Sequence, residues 1–509
     1  MCIRDRGSPQ VQAELGVLLA LGGQGPKALV RLEEATAAAP DEPAYRRALG
    51  VVYRLLGRDE ESIRALRLAV ESDPASHEAR YELALSLWQA GERQEAVATM
   101  REAVRRAPDQ GEYHQVLGLM LRKMRREREA VSVLSRAAKR LPGVAPLHHT
   151  LGHVHAQLGE ARQALEHYLQ AVELAPDKPE YLRDAARACV DAGEHARAAE
   201  LWERLARLEP EEPQWYAELG EAYLHAGRYP EALAALRQAV ALRPDEPDLL
   251  VKLGTAAARL GDVEEARARF VEAIAVKKDY APAYACLGAL AEKEERWDEA
   301  LSAYREAARL DPDQATYRYR LGEVYARAGQ YEEAIEHLEE AARLQPDMVE
   351  VYERLGAVYE ALQRYDEALQ AYDHLATLTP DDPEVHLRIG RLCREMGRFD
   401  RAMACFQQVA RSHPDDGAAY YELGRTYEAQ EAYDRALEAY LQAIERDPET
   451  ALYYRSAGEM YKRLQRYAEA AGLFRKAIRL QPTDAEAYKQ WAATSAVSLF
   501  QRHQRERMG

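Results

Sequence analysis

A proline returns every 34 residues, at Pro40, Pro74, Pro108, Pro142, Pro176, Pro210 and Pro244, and again from Pro312 through Pro346, Pro380, Pro414 and Pro448 to Pro482. Lys278 is the single break in that series. A small residue keeps the same step at Gly16, Gly50, Ala84, Gly118, Gly152, Ala186, Gly220, Gly254, Gly288, Gly322, Gly356, Gly390, Gly424 and Gly458. Fourteen units of 34 residues therefore fill residues 9–484 without an insertion. A chain of 509 residues with this period is expected to stack like units, each packing on its neighbours, instead of folding around one compact core.

The unit Pro213–Glu246 shows what each repeat is. Trp215, Tyr216, Leu219, Ala222 and Tyr223 recur at three- and four-residue spacing, which gives a first helix, A, one apolar face. Gly220 inside that helix costs about 1 kcal/mol relative to alanine, so a packing reason is expected: a neighbouring helix that passes too close for a side chain. Gly227 then ends the helix at a position suited to left-handed geometry. Pro230 falls near the start of a second helix, B, where its missing N–H is harmless, and Ala232, Leu233, Leu236, Ala239 and Val240 form its apolar face.

The ordered set Tyr216, Leu219, Gly220, Tyr223, Ala232, Leu236, Ala239 and Pro244, repeated along the chain, resembles the tetratricopeptide-repeat signature, a 34-residue helix–turn–helix. The resemblance implies an all-α, right-handed superhelical solenoid of about 14 such units plus a capping helix at the carboxyl end. It also implies a concave groove, lined mainly by positions 2, 5, 9 and 12 of each helix A, that takes partner proteins or extended peptides. Residues 1–8 read as a non-repeat tail, 9–484 as the array, and 485–509 as a solvating helix to about Phe500 with a basic QRHQRER tail. Repeat 4 departs most: Arg125 replaces the turn glycine within LRKMRRERE, which predicts a longer or more rigid turn.

Several function classes drop out. The sequence has no phosphate-binding glycine loop, H-E-x-x-H, C-x-x-C or nucleophile elbow, so no enzyme and no cofactor is expected. No asparagine occurs, which removes the asparagine ladder and the lysine/asparagine clamp known in specialised tetratricopeptide arrays. The net charge of -16 opposes nucleic-acid binding, even though repeat 4 is locally basic. No apolar run is long enough to span a membrane and no basic-then-apolar leader precedes the repeats, so a cytoplasmic location is expected. The opening MCIRDRGS lacks the polar cap that terminal repeats need, which points to a natural amino terminus further upstream. Cys189, Cys286, Cys393 and Cys405 lie within helices at no metal-ligand spacing and read as buried or half-buried residues.

The groove positions in order name the candidate partner-binding residues. Arg47 and Arg54 lie in repeat 2, His149 and His153 in repeat 5, Arg183 and Arg187 in repeat 6, and Glu221 in repeat 7. Tyr319, Glu323, Glu353 and Glu360 make repeats 10 and 11 acidic and partly aromatic, and Arg391, Arg394, Tyr421 and Arg425 turn the lining basic again. Alternating charge and tyrosine suits an extended segment held by many shallow contacts. Repeats 5 and 6 are the expected hot zone, and arginine forks there favour an acidic segment or a free carboxyl terminus. The pair His149 and His153 has ligand spacing, but no cysteine or carboxylate is evidently placed as a third ligand, so no metal is expected. The function expected is a scaffold or adaptor of undetermined oligomeric state. The alternative is the recognition region of a larger enzyme, such as a glycosyltransferase, or of a secretion or assembly machine.

Overall fold

The computed structural model describes residues 8–508, with side chains as far as Gln504. Residues 1–7, which hold nearly all of the expected amino-terminal tail, lie outside the described residues, as do the side chains of the last few residues of the basic tail. Among the described residues there are 29 α-helices and no strand. The first 28 form 14 A–B hairpins, and a last helix, Ala485–Met508, follows them: the fold is an all-α solenoid. No helix is long and apolar enough to cross a membrane among the described residues. The chain divides into two compact units, Met1–Arg269 and Phe270–Gly509, and the division falls inside helix B of hairpin 8, Val263–Val276.

Hairpin 7 shows how the local sequence makes the unit. Helix A runs Pro213–His225 and helix B Tyr229–Leu242, each with a proline in its first turn. Between them Gly227 takes φ +73°. Its N–H bonds the Leu224 carbonyl at 3.1 Å and the Arg228 N–H bonds the Tyr223 carbonyl at 2.8 Å, which satisfies two carbonyls the helix end leaves open. The same turn position is left-handed in all 14 hairpins: nine times it is glycine, and five times it is Arg125, Glu295, Gln363, Glu431 or Gln465.

Repeat 4 therefore has the ordinary turn and not a longer one. Its helices run Gly111–Lys123 and Glu127–Arg140, and Arg125 sits at φ +57°. Arg126 N–H still reaches the Leu121 carbonyl at 3.0 Å. The apolar spacing on either side holds the turn, against a left-handed cost of about 1–2 kcal/mol for a residue with a Cβ.

The small residue at position 8 of helix A meets position 24, on helix B of the same hairpin. In the first unit a Cβ on Gly50 would lie 2.4 Å from Leu66 Cγ, and one on Gly220 2.5 Å from Leu236 Cγ. In the second, Gly356 faces the Tyr372 ring at 2.3 Å and Gly390 the Phe406 ring at 2.4 Å. The expected close neighbour is thus a side chain of the hairpin's own partner helix. These position-24 residues, Leu66, Leu236, Tyr372 and Phe406 among them, are fully buried, and each contributes on the order of 1.5–3 kcal/mol of transfer energy. Cys189 and Cys393 are buried and Cys286 and Cys405 half-buried, and none of the four is in a disulfide.

After hairpin 14 the last helix lays Ala487 against Tyr454 and Ala477. Asp484 anchors its start by accepting the Ala487 N–H at 3.0 Å and the Arg455 guanidinium at 2.9 Å. The helix continues to Met508, past the expected end near Phe500. No glycine or proline lies between Phe500 and Met508, and glutamine, arginine and glutamate favour the helix.

Candidate partner-binding surface

Position 6 of helix A, absent from the expected groove set, organises the charge. In the first unit Arg54 donates to Glu82, position 6 of hairpin 3, at 2.6 Å. Glu221 accepts from Lys252, position 6 of hairpin 8, at 2.9 Å. Burial alone would lower the Lys252 ammonium, but Glu221 and Asp248 on either side hold it well above its ordinary value. Arg47 stands 3.7 Å from Glu78, in a looser pair. It lines an open cleft of about 1280 Å³ with Tyr45, Tyr81 and Tyr113.

Hairpins 5 and 6 place helix A Ala145–Gln157 beside helix A Pro179–Asp191. His149 and His153 stand one turn apart with ring centroids 4.5 Å from each other. Both turn Nε2 to one oxygen of Asp184, Oδ2, at 2.9 and 3.3 Å. Arg183 Nε meets the other oxygen, Oδ1, at 3.1 Å. Burial would raise the Asp184 carboxyl, but the hydrogen bonds from His149, His153 and Arg183 outweigh it and hold that group far below the carboxylate range. Tyr168 Oη lies 2.9 Å from His153 Nδ1, and burial pushes its phenol up.

The two expected rungs are therefore not equivalent: three of their four groups converge on Asp184, and Arg187 stands apart. Arg187 is exposed, makes no hydrogen bond or ion pair among the described residues, and lines a cavity of about 330 Å³ with His153, Tyr168, Asp184 and Asp191. Glu218, position 6 of hairpin 7, is raised by burial and by Glu221, and Lys252 and Arg187 oppose that rise. The expectation that no carboxylate stands near His149 and His153 is corrected by Asp184, which comes from the next hairpin.

In the second unit Glu323 is 4% exposed and held by Arg320 of its own helix and Arg354, position 6 of hairpin 11, each at 2.8 Å. Tyr319 beside it is pushed up to about 12 by burial and by Glu323. Glu360 accepts the Tyr372 hydroxyl at 2.8 Å. Arg391 and Arg394 both bind Glu422, position 6 of hairpin 13, Arg391 at 2.8 Å, and Arg394 and Glu422 are both buried. Tyr421 stacks on Tyr453 at 5.2 Å. Glu353 and Arg425 are exposed with no hydrogen bond or ion pair among the described residues, and Glu353 lines a small cavity with Tyr319 and Arg388.

Of the expected site residues, Arg187, Glu353 and Arg425 thus offer unspent charge, and most of the others are engaged within the array. The partners that sequence reasoning missed, Glu82, Asp184, Lys252, Arg354 and Glu422, had a signal. They stand 28, 31 or 35 residues after the groups they meet, as in Arg54–Glu82, Arg391–Glu422 and His149–Asp184.

Models of the tetratricopeptide repeat match residues 14–77, 387–449 and 427–485, residues 57–135, and residues 145–178. Residues 185–382 match a model described as the cilia and flagella-associated protein 70 C-terminal domain. No curated protein matches the chain. Among solved structures, MamA is 24% identical, over 32% of this chain and 95% of its own, with a TM-score of 0.30. Yeast Tom70 is 16% identical, over 97% of this chain and 96% of its own, with a TM-score of 0.33. The structure of Naa15/Naa10 bound to HypK-THB is similar at 14% identity over 97% of this chain and 92% of that one, with a TM-score of 0.34.

Proposed function

The chain belongs to the tetratricopeptide-repeat family, and from that premise we propose that it is a non-enzymatic, cytoplasmic scaffold that holds an extended segment of a partner protein along its A helices. The repeats support a protein-interaction role in general; the finer reading concerns which residues do the holding. The observation that carries it is Arg187. Its guanidinium is exposed and makes no hydrogen bond or ion pair among the described residues, beside a cavity of about 330 Å³ and with only a longer-range attraction to the half-buried Glu218, while His149, His153 and Arg183 are bound to Asp184. A free guanidinium fork presented on a rigid helix is suited to a carboxylate, so the segment held at hairpins 5 and 6 is acidic or ends in a free carboxyl terminus. Within the second unit, Glu353 and Arg425 present unspent charge of opposite and like sign.

Affinity capture with the intact array identifies the partner, and titration of that purified partner with wild-type and Arg187→Glu chains tests the reading. Affinity is expected to fall at least several-fold in the variant, and to fall for the wild type as salt shortens the screening length. Unchanged affinity in a variant of unchanged helicity would remove hairpins 5 and 6 from the binding surface.

The second reading, a recognition region within a larger machine, has one observation in its favour. Residues 185–382 match a model whose description is that of a C-terminal domain.

A further inference from the structure

The geometry points to a transition-metal site at the seam of hairpins 5 and 6, formed by His149 Nε2, His153 Nε2 and Asp184 Oδ2, for a zinc-like divalent ion. The three groups can offer ligand atoms that all lie within 4.8 Å of one another. The two nitrogens are 2.9 and 3.3 Å from the shared oxygen. A tetrahedral ion with bonds of about 2.0–2.1 Å sets its ligand atoms roughly 3.3 Å apart, which both nitrogen–oxygen distances match to within a few tenths of an ångström. Two imidazoles and one carboxylate suit zinc and its neighbours in the first transition series, and do not suit magnesium or calcium, which take oxygen ligands.

The surrounding groups are those a ligand set needs. Arg183 occupies Asp184 Oδ1, which leaves Oδ2 to bind through one oxygen. Tyr168 Oη sits on His153 Nδ1 at 2.9 Å and fixes the ring so that Nε2 points inward. A hydroxyl serves either state: it donates to Nδ1 when Nε2 carries the proton, and accepts from Nδ1–H when Nε2 binds an ion. No proton need leave a neutral ring.

Other A–A seams answer a position-6 charge with an opposite formal charge, as in Arg54–Glu82, Glu221–Lys252 and Arg391–Glu422. At this seam the preceding helix instead turns two imidazoles, each able to ligate when neutral, toward one half-buried carboxylate. The fourth coordination position opens toward the cavity of about 330 Å³ lined by His153, Tyr168 and Arg187. Bound there, the ion ties the first unit's hairpins 5 and 6 together through three side chains. The inference is independent of any partner.

The test uses the full chain, stripped of metal with a chelator and titrated with zinc chloride by calorimetry and with cobalt(II) by visible absorption. One saturable equivalent is expected, with the d–d bands of a four-coordinate cobalt site and a raised thermal midpoint. His153→Gln keeps an amide that can hydrogen-bond Asp184 but supplies no imidazole, and His149→Ala and Asp184→Asn remove the other ligands. Each is expected to weaken binding at least tenfold with helicity unchanged. No saturable binding overturns the proposal. So does binding that survives all three substitutions, or cobalt absorption in the near ultraviolet that marks thiolate ligands and moves the ion to a cysteine. If His153→Gln binds as the wild type does, the cluster is a hydrogen-bonded seam alone.

Discussion

Tyr372 donates its hydroxyl to Glu360 at 2.8 Å while its ring lies against Gly356, so one side chain both fills the hairpin and reaches a carboxylate on the opposite helix. The arrangement recurs two hairpins away on each side, as Tyr304–Glu292 at Gly288 and Tyr440–Glu428 at Gly424. Leu338 and Phe406 take the place of the tyrosine in the hairpins between. Burial and the facing carboxylate push each of these phenols up, so they remain donors across the working pH range.

Gly356→Ala should destabilise by about 1–3 kcal/mol, because its Cβ would meet the Tyr372 ring at 2.3 Å and the ring has nowhere to retreat. Hydrogen exchange should show the loss in Val349–Ala361 and Tyr365–Leu378 and little change in Pro43–Leu55. Equal loss of protection in both places would show that the array unfolds as one block.

Glu422→Ala leaves the buried Arg394 guanidinium only the distant, exposed Glu395 at 3.9 Å and is expected to cost about 3–5 kcal/mol, localised to Pro383–Glu395 and Gly417–Ala429. The exposed pair Arg31–Glu34 offers the control: removing Glu34 should change stability by no more than about 0.5 kcal/mol. Urea unfolding followed by exchange measurements separates the two. A cost for Glu422→Ala as small as the control's would mean that water reaches Arg394.

The depressed carboxyl of Asp184 fixes a pH dependence. Its folded value lies below the unfolded value of about 3.9, so its contribution is complete above that pH and is lost as pH falls toward the folded value. Asp184→Asn should therefore cost about 1–3 kcal/mol at neutral pH, and the gap from wild type should narrow only below about pH 4. His149, His153 and Arg183 touch this carboxylate, and Tyr168, Arg187 and Asp191 share its cavity. Denaturation curves for both chains at neutral and acid pH check the sign; a gap that widens with acid would reverse it.

Gln363 sits at φ +59° where nine sister turns have glycine. Gln363→Gly should raise stability by roughly 0.5–1 kcal/mol, the left-handed strain relieved less the added freedom of the unfolded chain. A lower thermal midpoint in the variant would show that the side chain makes a contact worth more than the strain.

The hairpins were legible because their punctuation is set by the backbone: a proline that cannot continue a helix and a small residue that leaves room for Leu236 or Tyr372. Arg125 misled because residue type suggests a dihedral without fixing it, and the apolar spacing around it imposed the common turn. The expected lining was harder to read. Arg391 and Arg394 look like groove cations on their own helix, yet both close on Glu422 from the next hairpin, and Asp184 reaches His149 and His153 in the same way. Such partners lie on the seam between hairpins, where the pattern within one repeat carries no information about them.

That seam bears on how such a gene can change length. Excising Gly417–Thr450 would keep the 34-residue apolar period in phase, since hairpin 14 would simply follow hairpin 12. It would also bring Ser456, at the sixth place of its helix, opposite Arg394, where Glu422 now lies. A hydroxyl cannot neutralise a buried guanidinium. Hairpins joined by such a pair are therefore not interchangeable, and loss of a whole unit is expected to be tolerated only where the new junction matches in sign.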